Sequence, residues 1–137
     1  MGRIVAIDYG QKRSGLAVTD ELKIIATGLT TVRTADLMDF LKNYAAKNEV
    51  ECFVVGEPRQ MNNTASQSAR FIEPFVKHLA SVFPGIPVRR VDERFTSLIA
   101  TRAIREAGLK KKDRRDKALV DTVSATIILQ SYMEIVK

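Results

Sequence analysis

The sequence predicts an α/β domain built on a mixed five-stranded sheet with helices on both faces. Three observations carry that prediction. Residues 3 to 9 are a nearly continuous apolar run, as in a central strand buried on both sides, and a second run follows a short glycine-bounded turn. Later apolar runs alternate with segments whose apolar residues recur at helical spacing. The chain has 137 residues, 45% hydrophobic and 28% charged, enough for a single core and too apolar for disorder.

Taken in order, the first strand is followed by a turn at Gly10 to Ser14 and a second strand from Gly15 to Thr19, the two pairing as a hairpin. Ile24 to Val32, rich in Thr and Val, reads as the third strand. A helix follows, with Thr34 as N-cap and Leu37, Met38, Leu41, Tyr44 and Ala45 on its apolar face. Glu51 to Gly56 is the fourth strand. Ala65 to Phe83 carries a helical stripe at positions 71, 72, 75, 76, 79, 82 and 83, and Pro74 predicts a kink in it. Pro84-Gly85 breaks that helix, and Ile86 to Val91 forms a short fifth strand. Thr96 can cap a helix from Ser97 to Ala107 closed by Gly108, and Asp113 or Asp116 can cap the last helix, which runs to about Ile135. The resulting order is βββαβαβαα, an antiparallel hairpin followed by strands that return through helical crossovers. No repeat, low-complexity tract or linker divides it, so residues 1–137 read as one domain.

Composition narrows the function. The longest uncharged stretch, Thr122 to Met133, is far short of the roughly 20 residues a spanning helix needs. The N-terminal run contains Asp8 and lacks a cleavage site of small residues, so it is not a secretory signal and a cytoplasmic protein is expected. Cys52, the only cysteine, lies in an apolar run and reads as a buried thiol; His78, the only histidine, borders a helix stripe and reads as a half-exposed surface residue. Zinc and redox chemistry are therefore excluded. With 22 Lys and Arg against 16 Asp and Glu, the net charge is +6, which favours a polyanionic partner. Residues 109–117 hold six basic side chains for a local net of +4, either a solvated loop or a phosphate-binding one.

Acids at strand ends are the informative feature. Asp8 stands near the carboxyl end of the central strand, where open α/β sheets place ligands. Its bland alternative is a hydrogen bond to the following turn. Glu57 ends the fourth strand and Glu93 the fifth, although Asp92 and Glu93 could pair with Arg89, Arg90 or Arg94. Asp121 is too deep in the last helix to be its N-cap, and shares a stripe of small residues with Ala118, Ser124, Ala125 and Ile128; a salt bridge to Lys117 is the plainer reading. Acids gathered by a sheet and a helix repel one another unless a divalent cation joins them. Oxygen-only donors suit Mg²⁺ or Mn²⁺, which activate water against phosphodiesters. Gly10 to Gly15 is not a phosphate loop of the Walker type, since no Lys-Ser or Lys-Thr follows the second glycine and the segment joins two strands. A sugar-kinase type of ATPase opens on a similar turn but needs a second lobe, for which 137 residues leave no room.

Four motifs in order then carry a resemblance: Ala6-Ile7-Asp8-Tyr9-Gly10-Gln11-Lys12-Arg13-Ser14-Gly15-Leu16-Ala17; Gly56-Glu57-Pro58 with Met61-Asn62-Asn63-Thr64; Asp92-Glu93-Arg94-Phe95-Thr96-Ser97; and Lys117 with Val120-Asp121. Together they resemble the YqgF family, also called RuvX. The resemblance implies a ribonuclease H-like fold related to the RuvC resolvases, strand order 3-2-1-4-5, and a metal-dependent nuclease centre. It assigns Asp8, Glu93 and Asp121 as catalytic acids and ligands of Mg²⁺ or Mn²⁺, the ion being bound with substrate or at high concentration. Members often carry an apolar residue where this chain has Glu57, which becomes a fourth ligand or a replacement for Glu93.

The resemblance implies processing of the 5′ end of precursor 16S rRNA in ribosome biogenesis, with Holliday-junction resolution in DNA as the alternative. Few aromatics are available for base stacking, so shape and phosphate contacts should dominate recognition. Lys12, Arg13, Arg59, Arg94, Lys110, Lys111, Lys112, Arg114 and Arg115 are the candidate nucleic-acid contacts. A monomer or a homodimer is compatible with these readings, a junction resolvase requiring the dimer. From other classes, a non-catalytic nucleic-acid-binding protein or a ribosome-associated structural factor would keep the basic loop and have no need of metal.

Overall fold

The structure, a computed structural model, describes residues 2–57, 69–92 and 117–135. Its elements are β1 (Arg3–Asp8), β2 (Arg13–Thr19), β3 (Ala26–Arg33), a 3-10 turn (Thr34–Asp36), α1 (Leu37–Lys47), β4 (Val50–Glu57), α2 (Ala69–Val82), β5 (Val88–Asp92) and α3 (Lys117–Ile135). The sheet order is β3-β2-β1-β4-β5. β1 pairs antiparallel with β2, β2 with β3, while β1, β4 and β5 run parallel. This is the mixed five-stranded sheet that the sequence predicts.

Alternation along β1 splits the core in two. Val5 and Ile7 point to one face and pack with Leu16, Phe53, Val55, Leu37, Leu41, Ile72 and Leu79 beneath α1 and α2. Ile4 and Ala6 point to the other face and pack with Ala17, Cys52, Val54, Val91, Ala125, Ile128 and Leu129 beneath α3. Helices thus cover both faces. The small residues Ala6, Ala17 and Ala125 are fully buried and let α3 lie close on the sheet.

Several boundaries depart from the sequence reading for identifiable reasons. β3 starts at Ala26 because the N–H groups of Ile24 and Ile25 donate to Asp20 Oδ1 at 2.7 and 2.9 Å, closing a turn in which Lys23 has φ of 58°. Those N–H groups, Ile25 first, hold the Asp20 carboxyl below its ordinary value. β2 starts at Arg13, which pairs with Arg33, so the connection from β1 is shorter than expected. Thr34 is not a helix N-cap: it opens the 3-10 turn, and neither that turn nor α1 has a side-chain cap. β5 starts at Val88 because the Ile86 N–H turns back to the Phe83 carbonyl at 3.0 Å. As expected, a single helix runs through Pro74, which is exposed within α2. The helix predicted over 97–107 lies outside the described residues. Among the described residues, no helix is long and apolar enough to cross a membrane.

Candidate active site

Asp8 is the last residue of β1 and is half-buried. Alternation puts it on the face of Ile4 and Ala6, the α3 face. One register row runs across the sheet at its level, from Asp8 to Gly15 on β2 and from Gly15 to Thr31 on β3. Thr31 Oγ1 shares a 2.7 Å hydrogen bond with Thr122 Oγ1 in the second turn of α3. The row that begins at Asp8 therefore ends against the helix residue next to Asp121. Position 121 lies one turn before the fully buried Ala125 and two before the fully buried Ile128.

Gly28 fixes how closely that end of α3 approaches. A Cβ on Gly28 would stand 2.6 Å from Thr122 Cγ2 and 3.3 Å from Thr126 Oγ1, too close for a side chain without displacing the Thr122 side chain or the helix that carries it. The register slips by one residue beside it, between Leu16 and Ala17, leaving Leu29 as a bulge. That slip aligns both Gly28 and Thr31 with the helix.

The turn after Asp8 is locked by a closed ring of hydrogen bonds. The Gly10 N–H donates to Ser14 Oγ at 3.3 Å, Ser14 Oγ and Thr34 Oγ1 share a bond of 2.9 Å, and Thr34 Oγ1 donates to the Gly10 carbonyl at 2.6 Å. The Thr34 N–H donates to the Lys12 carbonyl at 3.0 Å. A Cβ on Gly10 would collide with the Arg13 carbonyl, so only glycine fits. Thr34 thus spends its hydroxyl on the turn that carries Lys12, exposed, and Arg13, half-buried, at the rim beside Asp8. On the opposite face Tyr9 stacks on Phe75 of α2, with ring centroids 4.6 Å apart.

Glu57 ends β4 in register with Asp92 at the end of β5, and both positions stand at the same carboxyl edge as Asp8, since the three strands are parallel. Arg90, which could have paired with a strand-end acid, instead donates from Nη1 to Glu73 Oε1 of α2 at 2.8 Å. Among the described residues, no three His, Cys, Asp or Glu side chains form a metal cluster. Glu93, Arg59, Arg94, Lys110, Lys111, Lys112, Arg114 and Arg115 lie outside the described residues.

The residues set aside as structural behave so. Cys52 is buried 3.9 Å from the Tyr132 hydroxyl, and burial raises both the thiol and the phenol above their ordinary pKa values. His78 is exposed on α2. A groove of about 1210 Å³ lies near the opposite end of β1 from Asp8, lined in part by Ile4, the β2–β3 turn and Gln130 to Glu134 of α3. Leu22, Ile24 and Ile25 are exposed there, which alternation in the sequence did not foretell.

Comparison with known proteins gives a family and a fold. A family model described as "RuvX: Holliday junction resolvase" matches residues 2–135. A protein of Bacteroides thetaiotaomicron named "Putative pre-16S rRNA nuclease" is 60% identical over 134 residues, covering 98% of this chain and 97% of its own. One of the same name from Porphyromonas gingivalis is 62% identical over the same shares. The fowlpox virus Holliday junction resolvase matches at a TM-score of 0.61 and 11% identity, over 98% of this chain and 99% of that one. Thermus thermophilus RuvC, solved with a Holliday junction substrate, matches at 0.57 and 18%, over 98% and 97%. At such identities the two structures share a fold with this chain.

Proposed function

This chain belongs to the RuvX family, and from that premise we propose that it is a metal-dependent phosphodiester nuclease that processes the 5′ end of precursor 16S rRNA. The observation supporting this reading most directly is the row from Asp8 through Gly15 and Thr31 to Thr122, which brings a strand-end acid and the start of α3 to one edge and one face of the sheet. Relatives at 60% identity bear the name of that activity. We take residues 1–137 as one domain working in the cytoplasm, as a monomer or homodimer.

Asp8, Glu93 and Asp121, with Glu57 as a fourth ligand or in place of Glu93, would hold Mg²⁺ or Mn²⁺. The donors are all carboxylate oxygens, and the described thiol and imidazole stand elsewhere, one buried against Tyr132 and one exposed on α2, a donor chemistry that fits these ions. When bound, such an ion supplies charge neutralisation and an activated water. The chain supplies the rest. Asp8 is held by a strand paired on both sides, so its carboxylate is pre-positioned and needs little ordering when substrate arrives. The locked turn holds Lys12 and Arg13 beside it, where positive charge meets backbone phosphates.

Branched DNA is the second substrate, favoured by the description of the matching family and by the shared fold. The deciding experiment offers the protein an RNA carrying the precursor 16S 5′ leader and a four-way DNA junction, each with and without Mg²⁺. Metal-dependent cleavage of the RNA supports the reading; symmetric cleavage of the junction alone replaces it with a resolvase. Equal binding without cleavage in either case makes it a non-catalytic binding protein.

A further inference from the structure

α2 joins the parallel strands β4 and β5 and so runs back against them, with its first turn at the carboxyl edge of the sheet. Glu73 reaches to β5, where its Oε1 accepts from Arg90 Nη1 at 2.8 Å. Phe75 reaches the other way, to the end of β1, where it stacks on Tyr9 with ring centroids 4.6 Å apart and planes at 26°. Phe71 lies one turn before Phe75 on the same side, about 6 Å nearer the edge along the helix axis. It is 45% exposed, whereas Ile72 and Leu79 of the same helix are buried. Pro74 and His78, three and seven residues on, continue this side and are also exposed. The one acid of α2, Glu73, is turned away to Arg90, and the turn after Tyr9 carries the exposed Lys12. A lone exposed phenylalanine is ordinary on a protein surface. This one extends an aromatic run that begins at the residue after Asp8.

We propose that Phe71 is a stacking platform for an unpaired base of the RNA strand cut at Asp8, the Tyr9–Phe75 stack fixing the helix turn that carries it. The inference rests on the nuclease reading above and deepens it, since a base reaches a flat ring only where it is free of a duplex. Asp8 and Tyr9 are consecutive and stand on opposite faces, so a strand with its phosphate at Asp8 passes over the carboxyl edge before a flanking base meets Phe71. Stacking tolerates any base, and the net charge of +6 supplies attraction for the phosphates between bases. The exposed positions around Phe71, which are Glu73, Pro74, Lys77 and His78, form no broad apolar patch of the kind that favours a protein partner.

The chain has no tryptophan, so Phe71→Trp places a single reporter at the platform. It is titrated in EDTA, so that cleavage does not intervene, with single-stranded oligoadenylate and with the same strand annealed to oligouridylate. The single strand should quench the tryptophan emission, and the duplex should quench it far less. Phe71→Ala should weaken single-strand binding by about 5- to 50-fold, and Phe71→Leu, which keeps an apolar side chain without a flat ring, should do nearly the same. Phe71→Tyr should retain most of the affinity. The salt slope should be the same in all of them, because no phosphate contact is removed. Wild-type affinity in Phe71→Ala, its fold verified by melting, overturns the platform, as does tryptophan emission that ignores saturating RNA or responds equally to the duplex. Metal-dependent cleavage alongside any of these leaves the nuclease reading standing. Quenching by the single strand in a protein that never cleaves keeps the platform and overturns the nuclease reading instead.

Discussion

Gly28→Ala probes the placement of α3 without touching any candidate acid. The new Cβ would stand 2.6 Å from Thr122 Cγ2 and 3.3 Å from Thr126 Oγ1, against an ordinary contact of about 3.4 to 4 Å, so either the Thr122 side chain turns away and gives up its hydrogen bond to Thr31, or sheet and helix separate by up to about 1 Å. Overpacking of this kind costs about 1 to 3 kcal/mol, or roughly 3 to 12 °C in Tm for a domain of this size. Either change occurs at the Thr31–Thr122 hydrogen bond and one residue from position 121. Misplacement on that scale costs up to about 100-fold in rate. Cleavage should therefore fall by at least about tenfold at temperatures where the variant is fully folded, while RNA binding in EDTA is retained. Thr122→Ser deletes the methyl group that the new Cβ meets and keeps the hydroxyl that bonds Thr31. The double variant should regain at least half of the lost stability and most of the lost rate, a coupling of about 0.5 to 2 kcal/mol in a double-mutant cycle. Chemical denaturation and single-turnover cleavage of all four proteins provide the measurements. Gly28→Ala with wild-type stability, or no rescue by Thr122→Ser, refutes the close approach on which the site geometry depends.

Two other perturbations give separate tests. Cys52 has its pKa raised by burial, so on raising the pH the unfolded chain loses this proton first, from about the ordinary 9.0 upward; stability should be flat below that pH and decline above it. Urea melts between pH 7.5 and 10 should show a shallower decline in Cys52→Ala, and parallel pH curves for the two proteins would contradict the burial of the thiol. Replacing Lys110, Lys111 and Lys112 with alanine should weaken binding of unrelated RNA sequences alike and flatten the salt slope; unchanged affinity would return that segment to a solvated surface.

Local chemistry made most of the fold legible. The apolar run before Asp8 announced a central strand, and the glycine-bounded turn announced an antiparallel partner; both stand. The helical crossovers also stand in their described parts, and the sheet order, given by the family resemblance together with right-handed crossovers, is the observed one. Where the reading failed, a distant or competing partner decided the outcome. Thr34 looks like a helix cap in sequence because a cap is a local device, but its hydroxyl goes to Gly10, 24 residues earlier. Ile24 and Ile25 look like strand residues until the Asp20 carboxylate takes their N–H groups. The Thr31–Thr122 bond spans 91 residues and leaves no trace in spacing, and the bulge at Leu29 that aligns Thr31 with α3 has no composition signal of its own. Strand-end position made Asp8, Glu57 and Glu93 candidates and the small-residue face of the last helix added Asp121; the choice of ligands among them is a proposal that rests on the family resemblance.

The most direct test of the central claim is the melting temperature of wild type and Asp8→Asn, each with and without millimolar Mg²⁺, read beside cleavage of leader RNA. Carboxylates gathered without a cation repel one another, and a ligand that binds only the folded state raises its stability. Wild type should melt several degrees higher with Mg²⁺ and cleave. Asp8→Asn should remain folded, bind RNA as wild type does, fail to cleave and lose most of the Mg²⁺-induced rise. A wild type whose melting temperature ignores Mg²⁺, together with an Asp8→Asn that unfolds, would make Asp8 a structural acid and contradict the nuclease account.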